Sequence, residues 1–155
     1  MLPITPWPQP PNSGLITLPG SKSITNRALI LAALCPGTVR LQGALFSRDT
    51  TLMMAALREL GFSIEADADQ RTIVVQGLGG AIPNRRATLA VGNAGTVSRF
   101  LTALLCLKPN GEYALDGDPA MRRRPMVGLL EALQQCGAAT CQYHAQPGHF
   151  PFLPA

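Results

Sequence analysis

The chain contains two similar stretches of sequence, and this internal repetition constrains its fold more than any other feature. Each stretch has a short apolar run, a turn of small residues and an apolar helical segment, with Arg27 and Arg99 at equivalent positions. These two arginines are 72 residues apart. A later helical segment ends at Gly61 in the first stretch and at Gly137 in the second, an offset of 76 residues that a four-residue insertion explains. A repeat of this kind indicates two copies of one supersecondary unit.

Each copy is predicted to contain a strand, a helix, a loop, a second helix and one or two short strands. The copies extend over about residues 21–80 and 88–150, and the second stops near Ala155, where a partner strand is still expected. The first helices are predicted at Ser23 to Leu34 and at Thr96 to Cys106. Strand candidates are Leu15 to Leu18, Phe62 to Glu65, Thr72 to Gln76 and Leu89 to Val91.

Both first helices are apolar nearly all round, which is not typical of helices on a protein surface. Each needs neighbouring strands or helices on every side, and two repeats supply only part of this covering. The sequence therefore predicts an α+β chain that forms part of a larger, repeat-built domain.

The start of the first helix has the features of an anion site. Pro19 and Gly20 interrupt the preceding strand candidate, and Ser21 or Ser23 can cap the first helical turn. Lys22 lies in that turn and Arg27 one turn later, although the partial positive charge of a helix start repels cations. A phosphate or carboxylate would relieve this repulsion. The alternative is a capped helix with two solvated basic residues.

A dense basic run at residues 122–124 is the other candidate anion contact. Guanidinium groups bind phosphate and carboxylate with two parallel hydrogen bonds. Arg122 and Arg123 are consistent with a solvated face, as charge runs usually are. Arg124 differs because Pro125 restricts its backbone and leads into a helix start.

Composition argues against several other classes of protein. The net charge is +4, but the basic residues are dispersed and aromatic residues make up only 5% of the chain, which disfavours nucleic-acid binding. Apolar residues make up 46%, yet no apolar run reaches the roughly 18 to 20 residues that span a bilayer, so no membrane contact is expected. The proline-rich start lacks the pattern of a signal or transit peptide, and we expect a soluble cytoplasmic protein with an extended lead-in.

The four cysteines are predicted to be reduced thiols in the core rather than disulfides. A zinc site is the alternative for Cys136, Cys141, His144 and His149, whose spacing resembles a ligand array. Cys136 occupies the repeat position of Leu60, which favours a core role. We expect no metal site.

Three motifs follow one another along the chain. They are Leu18 to Leu29 (LPGSKSITNRAL), Gly92 to Thr96 (GNAGT) with Arg99, and Asp116 to Pro119 (DGDP) with Met121, Arg124 and Pro125. Together they resemble the 3-phosphoshikimate 1-carboxyvinyltransferase (EPSP synthase) family, and the resemblance covers essentially all of residues 14–153. The sister family, UDP-N-acetylglucosamine enolpyruvyl transferase, is disfavoured because it lacks the first and third motifs.

The resemblance implies an enolpyruvyl transferase-like fold, with two of the three βαβαββ repeats of an N-terminal domain. It also implies that residues 1–20 are a lead-in strand that belongs to the second domain in full-length relatives, and that residues 21–155 are a partial N-terminal domain. Full-length members are typically monomeric, and the missing remainder of the enzyme would be a partner of this chain.

The implied reaction transfers the enolpyruvyl group of phosphoenolpyruvate to the 5-hydroxyl of shikimate 3-phosphate and needs no metal or organic cofactor. Lys22 would contact both substrates and take part in proton transfer, while Ser23 and Arg27 would hold shikimate 3-phosphate. Gly95, with Asn93 nearby, would let backbone N–H groups approach phosphoenolpyruvate. Arg124 would bind the charge of phosphoenolpyruvate.

Two points qualify the resemblance. The family's third repeat and second domain supply many of the catalytic groups, so the chain alone is expected to be inactive. The alternatives are a non-catalytic anion-binding fragment and half of a split enolpyruvyl transferase. In addition, Phe100 stands where family members commonly have proline.

Overall fold

The computed structural model describes Pro3, residues 15–138, and the backbone of two short strands near the end of the chain. These residues form five helices and seven strands. In chain order they are α1 (Lys22–Leu34), β1 (Pro36–Gln42), α2 (Arg48–Glu59), β2 (Ile64–Asp67), β3 (Thr72–Leu78), β4 (Arg86–Gly92), α3 (Gly95–Leu105), β5 (Glu112–Gly117), α4 (Pro119–Arg122), α5 (Val127–Gln135), β6 (Cys141–Tyr143) and β7 (Phe152–Pro154).

The strands form two sheets, of three and four strands, that share one arrangement of three antiparallel strands. In the first sheet the order is β1-β3-β2, with both pairs antiparallel, and β1 and β3 are in register from Pro36 opposite Leu78 to Gln42 opposite Thr72. In the second sheet the order is β4-β5-β7-β6, where β4 and β5 are parallel and the other pairs antiparallel. The strands β1, β3 and β2 therefore correspond to β5, β7 and β6.

This correspondence agrees with the predicted repetition, although the unit boundaries stay a prediction. The second unit has the order βαβαββ that the resemblance implies, with the short α4 inserted before α5. Both predicted first helices are present, as α1 and α3, and they pack against each other. The second helices end as expected, because Gly61 and Gly137 follow α2 and α5 with φ of 95° and 78°, a conformation that glycine adopts without steric cost.

Three sequence predictions differ from the structure. The loop expected between the helices of each unit contains a strand, β1 or β5. Residues 15–20 form neither helix nor strand, so the strand predicted at Leu15 to Leu18 is not formed there. The final residues contain β7, which pairs with β5 and β6, so the partner strand expected to be missing from the second unit is present.

The core lies where α1, α2 and α3 meet. These helices contact one another, and α1 also contacts β3 while α2 contacts β4, so the helices connect the two sheets. Within the described residues, the buried side chains of both units form one hydrophobic core. Fully buried members include Leu29, Ala33, Met53, Leu57, Ile73, Leu89, Val97 and Leu101.

The outer faces of α1 and α5 are less covered than their apolar sequences predict. Ile24 and Leu31 of α1 are 68% and 62% exposed, and α5 buries only Leu130. The prediction of core thiols is wrong for this reason. Cys136 caps the exposed α5 and Cys35 ends α1, so both are exposed, while Cys106 is half-buried; all three are free thiols. Cys141 lies in a strand whose side chains are outside the described residues.

None of the helices described is both long enough and apolar enough to cross a membrane.

Asn26 on α1 generates a stability prediction. Its side chain is fully buried, and within the described residues neither Oδ1 nor Nδ2 has a hydrogen-bond partner. A buried polar group without a partner costs about 1–3 kcal/mol, whereas an apolar group of similar shape does not. Asn26→Leu, which keeps the number of side-chain heavy atoms, should leave the free energy of unfolding unchanged or raise it by about 1 kcal/mol. Urea denaturation measures this, and a loss above about 1 kcal/mol would contradict the prediction.

The ion pair of Asp116 and Arg122 generates a prediction on pH. Arg122 donates from Nε at 2.9 Å and from Nη2 at 2.6 Å to the Asp116 carboxylate. These hydrogen bonds hold the pKa of Asp116 below its ordinary value. The charged carboxylate therefore stabilises the folded state above the unfolded pKa, and this contribution is lost as the pH falls through the folded pKa.

Arg122→Gln should raise the pKa of Asp116 toward its ordinary value and weaken the acid dependence of stability. Carbon-detected NMR of the Asp116 carboxyl measures the pKa, and unfolding at several pH values measures the stability. Arg123→Gln is the matched control and should leave the titration unchanged. A wild-type pKa of Asp116 at or above the ordinary value would contradict the prediction.

Candidate functional site

The starts of α1, α2 and α3 and the segment after α4 converge on one open cavity of about 760 Å³. The cavity therefore draws residues from both units, although they are far apart in sequence. It is lined by Lys22, Arg27, Arg48, Asp49, Asn93, Gly95, Thr96, Arg99, Phe100 and Arg124.

Close backbone contacts fix the start of α1. A Cβ at Gly20 would lie 2.8 Å from the backbone nitrogen of Leu45, so only glycine lets the two backbones approach this closely. The backbone N–H of Leu45 also donates to Oγ1 of Thr25 at 3.0 Å. Ser21 caps the helix by accepting the N–H of Ile24 at 3.4 Å. The first turn of α1 is thus tied to the segment that leads into α2.

The first turn of α2 supplies a counter-ion for Lys22. Ser47 and Thr50 form a reciprocal capping box that defines where α2 begins. This places Asp49 in the first turn, where its Oδ2 lies 2.9 Å from Nζ of Lys22. The cation that the start of α1 disfavours is therefore stabilised by a carboxylate at the start of the next helix.

The start of α3 is open, with no side-chain cap. A Cβ at Gly95 would lie 2.9 Å from Nη1 of Arg124 and 3.1 Å from Nη1 of Arg99, which is closer than such contacts normally occur. The missing side chain lets two guanidinium groups approach the free N–H groups of the first turn. This combination of helix start and cations is suited to binding a phosphate or carboxylate.

Arg124 is positioned by the turn that follows β5. The N–H of Asp118 donates to the carbonyl of Gly92 at 2.9 Å, which joins the ends of β5 and β4. The N–H of Arg124 donates to the carbonyl of Met121 at 2.9 Å and closes the turn. The Asp118 carboxylate accepts from Nη2 of Arg48 at 2.8 Å, which ties this segment to α2.

The cavity has a strong positive charge, with five cationic side chains and one carboxylate in its lining. Four of the cations are arginines that form two repeat-related pairs, Arg27 with Arg99 and Arg48 with Arg124, and each pair shares one of the two offsets of the repeat. Cations gathered in a cleft raise the local concentration of anions. The arrangement therefore favours a ligand with several negative charges.

The cavity brings most of the predicted site residues together. Of the predicted site residues, Lys22, Arg27, Asn93, Gly95 and Arg124 line the cavity, and Ser23 does not. Ser23 instead contributes its backbone carbonyl, which accepts from Nη1 of Arg27 at 3.0 Å.

Sequence reasoning missed several lining residues as members of the site. The repeat could have identified Arg48, which is the counterpart of Arg124, and Arg99, which is the counterpart of Arg27. Asp49 could have been recognised only once Ser47 was identified as a helix cap. Residues missed in this way are Arg48, Asp49, Arg99 and Phe100.

The described residues contain no group of three or more His, Cys, Asp and Glu side chains arranged to hold a metal ion. The alternative zinc array falls largely outside them, because His144 and His149 are not described and Cys141 is described only as backbone.

Comparison with known proteins gives a consistent result. A sequence model of the family "EPSP synthase (3-phosphoshikimate 1-carboxyvinyltransferase)" matches residues 8–153. A 3-phosphoshikimate 1-carboxyvinyltransferase from Opitutus terrae is 50% identical over 152 residues, which are 97% of this chain and 35% of the relative. One from a Nostoc species is 46% identical over 142 residues, which are 92% and 33% of the two chains. The chain thus spans about a third of the length of these curated relatives.

A solved structure of EPSP synthase from Acinetobacter baumannii superposes with a TM-score of 0.79 at 28% sequence identity, over 92% of this chain and 32% of that one. The fold is that of a partial N-terminal domain. The family match over nearly the whole chain, together with this likeness, establishes that the chain belongs to the EPSP synthase family.

Proposed function

We propose that this chain forms the N-terminal wall of an enzyme that transfers the enolpyruvyl group of phosphoenolpyruvate to the 5-hydroxyl of shikimate 3-phosphate. The observation that carries the proposal is one cavity in which five cations and the start of α3 face one another. The two substrates together carry two phosphates and two carboxylates, which match this excess of positive charge.

Shikimate 3-phosphate would bind at the start of α1. The guanidinium of Arg27 is exposed and has one hydrogen bond to the carbonyl of Ser23, so further N–H donors are available for an oxyanion. The hydroxyl of Ser23 would complete this contact. Ser23 lies in the first turn of α1 beside Lys22, and Lys22 would contact both substrates.

Phosphoenolpyruvate would bind at the start of α3. The absence of a side chain at Gly95 leaves the backbone N–H groups of the first turn accessible, and Asn93 lies beside them. Arg124 would bind the phosphate or carboxylate with two hydrogen bonds. Its Nη1 would be 2.9 Å from a Cβ at Gly95, so the guanidinium and the helix start would act on the same anion.

Lys22 would take part in proton transfer during the reaction. The substrate hydroxyl loses its proton as its oxygen adds to C2 of phosphoenolpyruvate and C3 gains a proton; C3 then loses a proton as the C2–O bond to phosphate breaks and phosphate leaves. The ion pair with Asp49 holds Nζ of Lys22 at the cavity, where it can hold or move a proton. Positioned cations stabilise the developing negative charge.

The chain alone would lack turnover. Acid-base groups and oriented cations each contribute orders of magnitude in rate, and their contributions are strongly coupled. One open wall supplies only part of this set. The remaining catalytic groups would come from the rest of the enzyme, which is the partner we propose for this chain.

A second candidate function is a non-catalytic anion-binding fragment. The openness of the cavity favours it, since Arg27 and Arg124 are accessible to solvent and can bind anions without the remainder of the enzyme. A split enolpyruvyl transferase differs from this fragment only in regaining turnover with its complement.

Arg124→Gln should weaken the binding of phosphoenolpyruvate to the chain by about 10-fold or more, because a hydrogen bond to a charged group contributes about 1.5–3 kcal/mol. Isothermal titration or NMR titration at low ionic strength measures the dissociation constant, since screening weakens an open site. Arg123→Gln removes an adjacent, exposed arginine outside the cavity and is the matched control. Equal affinity of the two variants would contradict the proposed role of Arg124.

Phosphate release from shikimate 3-phosphate and phosphoenolpyruvate should be absent with the purified chain and appear when a fragment supplying the rest of a family member is added. Lys22→Ala should abolish this restored turnover, whereas Arg123→Gln should keep it. Turnover by the chain alone that disappears in Lys22→Ala would show that the missing groups are not needed. Binding without turnover in any mixture would favour the anion-binding fragment.

A further inference from the structure

Arg27 and Phe100 form a contact that joins α1 to α3 at the edge of the cavity. Cζ of Arg27 lies 5.3 Å from the centroid of the Phe100 ring. A guanidinium within about 6 Å of an aromatic centroid is attracted by the negative potential of the ring face. Phe100 is half-buried and packs against the hydrophobic core, so its ring is a fixed surface for the more exposed Arg27.

Two of the other cations in the cavity are held by carboxylates, and a third, Arg99, donates to the backbone carbonyls of Gly95 and Pro125. Lys22 pairs with Asp49 and Arg48 pairs with Asp118, so a carboxylate takes up part of the charge and some of the N–H donors. Within the described residues, Arg27 forms no ion pair and donates one hydrogen bond, to its own helix. The aromatic ring is therefore the contact that fixes this guanidinium from outside α1.

An aromatic partner orients a guanidinium without occupying its donors. A carboxylate binds at the edge of the guanidinium, where the five N–H groups lie, whereas a ring contacts the flat face. The ring also leaves the positive charge uncompensated. An arginine held in this way is oriented in advance and keeps its edge available for an anionic ligand.

The position of Phe100 supports this role. Phe100 and Arg27 both line the anion cavity and also an adjoining apolar hollow of about 240 Å³ with Ile30 and Leu31. The ring and the guanidinium thus lie where the charged cavity adjoins the apolar face of α1. An arginine without the ring could turn away from the cavity and lay its aliphatic stem along that apolar face, as arginines commonly do.

The geometry points to Phe100 as a positioning residue that aims Arg27 at shikimate 3-phosphate. This inference rests on the proposed function for the identity of the ligand. It assigns no role to Phe100 toward phosphoenolpyruvate, since that ligand is bound by Arg124 and the start of α3 in our proposal.

The test compares the affinities of the two ligands in variants of the full chain. Phe100→Leu should weaken the binding of shikimate 3-phosphate by about 3- to 10-fold, the effect of losing a partly exposed cation–π contact, and leave the affinity for phosphoenolpyruvate unchanged. Phe100→Tyr should keep the wild-type affinity, because the ring is retained. Phe46→Leu is the matched control, since Phe46 is also half-buried against the core but does not line the cavity.

A double-mutant cycle with Arg27→Gln separates positioning from general damage. If Phe100 acts through Arg27, the loss from Phe100→Leu disappears in the Arg27→Gln background. Equal weakening of both ligands, or fully additive effects, would overturn the inference.

A measurement without ligand keeps this inference separate from the proposed function. The ring current of Phe100 should shift the side-chain NMR signals of Arg27 upfield. Phe100→Leu should return these signals to the positions of a free arginine, whereas Phe100→Tyr should retain the upfield shift. Wild-type signals at the positions of a free arginine would overturn the contact itself. Failure of the wild-type chain to bind either ligand would instead contradict the proposed function, and the Arg27 signals would still decide the contact.

Discussion

The packing of α1 against α3 is the contact on which the site depends. These helices are equivalent in the two units, and their side-by-side arrangement brings the two small-residue turns that precede them to the same place. Each turn relies on a glycine for close approach, Gly20 to backbone and Gly95 to two guanidinium groups. An anion site at one helix start would be weak, whereas two starts facing one cavity can hold a ligand with several charges.

Repetition also explains how so many cations are gathered in one place. A basic residue at one position of the repeated unit occurs twice in the chain, and both repeat-related pairs of arginines line the cavity. Asp49 and Asp118 neutralise part of this charge from within the chain. The remaining cations repel one another, which disfavours folding, and an anionic ligand would relieve this repulsion. Such local destabilisation is common at functional sites.

The sequence identified the repeat and the four longer helices, though not the one-turn α4, because apolar periodicity, capping residues and terminal glycines are local signals. It missed β1, in which only Val39 and Leu41 are even half-buried, so the strand carries little apolar alternation. It also missed β5, although Tyr113 and Leu115 are fully buried in the alternation typical of a strand. The strand predicted at Leu15 to Leu18 failed because an apolar run needs a neighbouring strand, and pairing is not a local property. Asp49 and Phe100 were missed for the same reason, since their partners lie on other helices.

The comparison of the two sheets shows which parts of the site are intrinsic to the chain. The first sheet lacks a strand equivalent to β4 in the described residues, so the outer edge of β1 and the outer face of α1 are open. The contacts that fix the start of α1 nevertheless come from residues 43–45, from Asp49 and from Phe100, all within the described residues. The geometry of the cations is therefore set by this chain, whereas burial of the cavity requires surfaces that pack over it. Because water screens an open site, the same cations would act more strongly on a ligand once the cavity is covered.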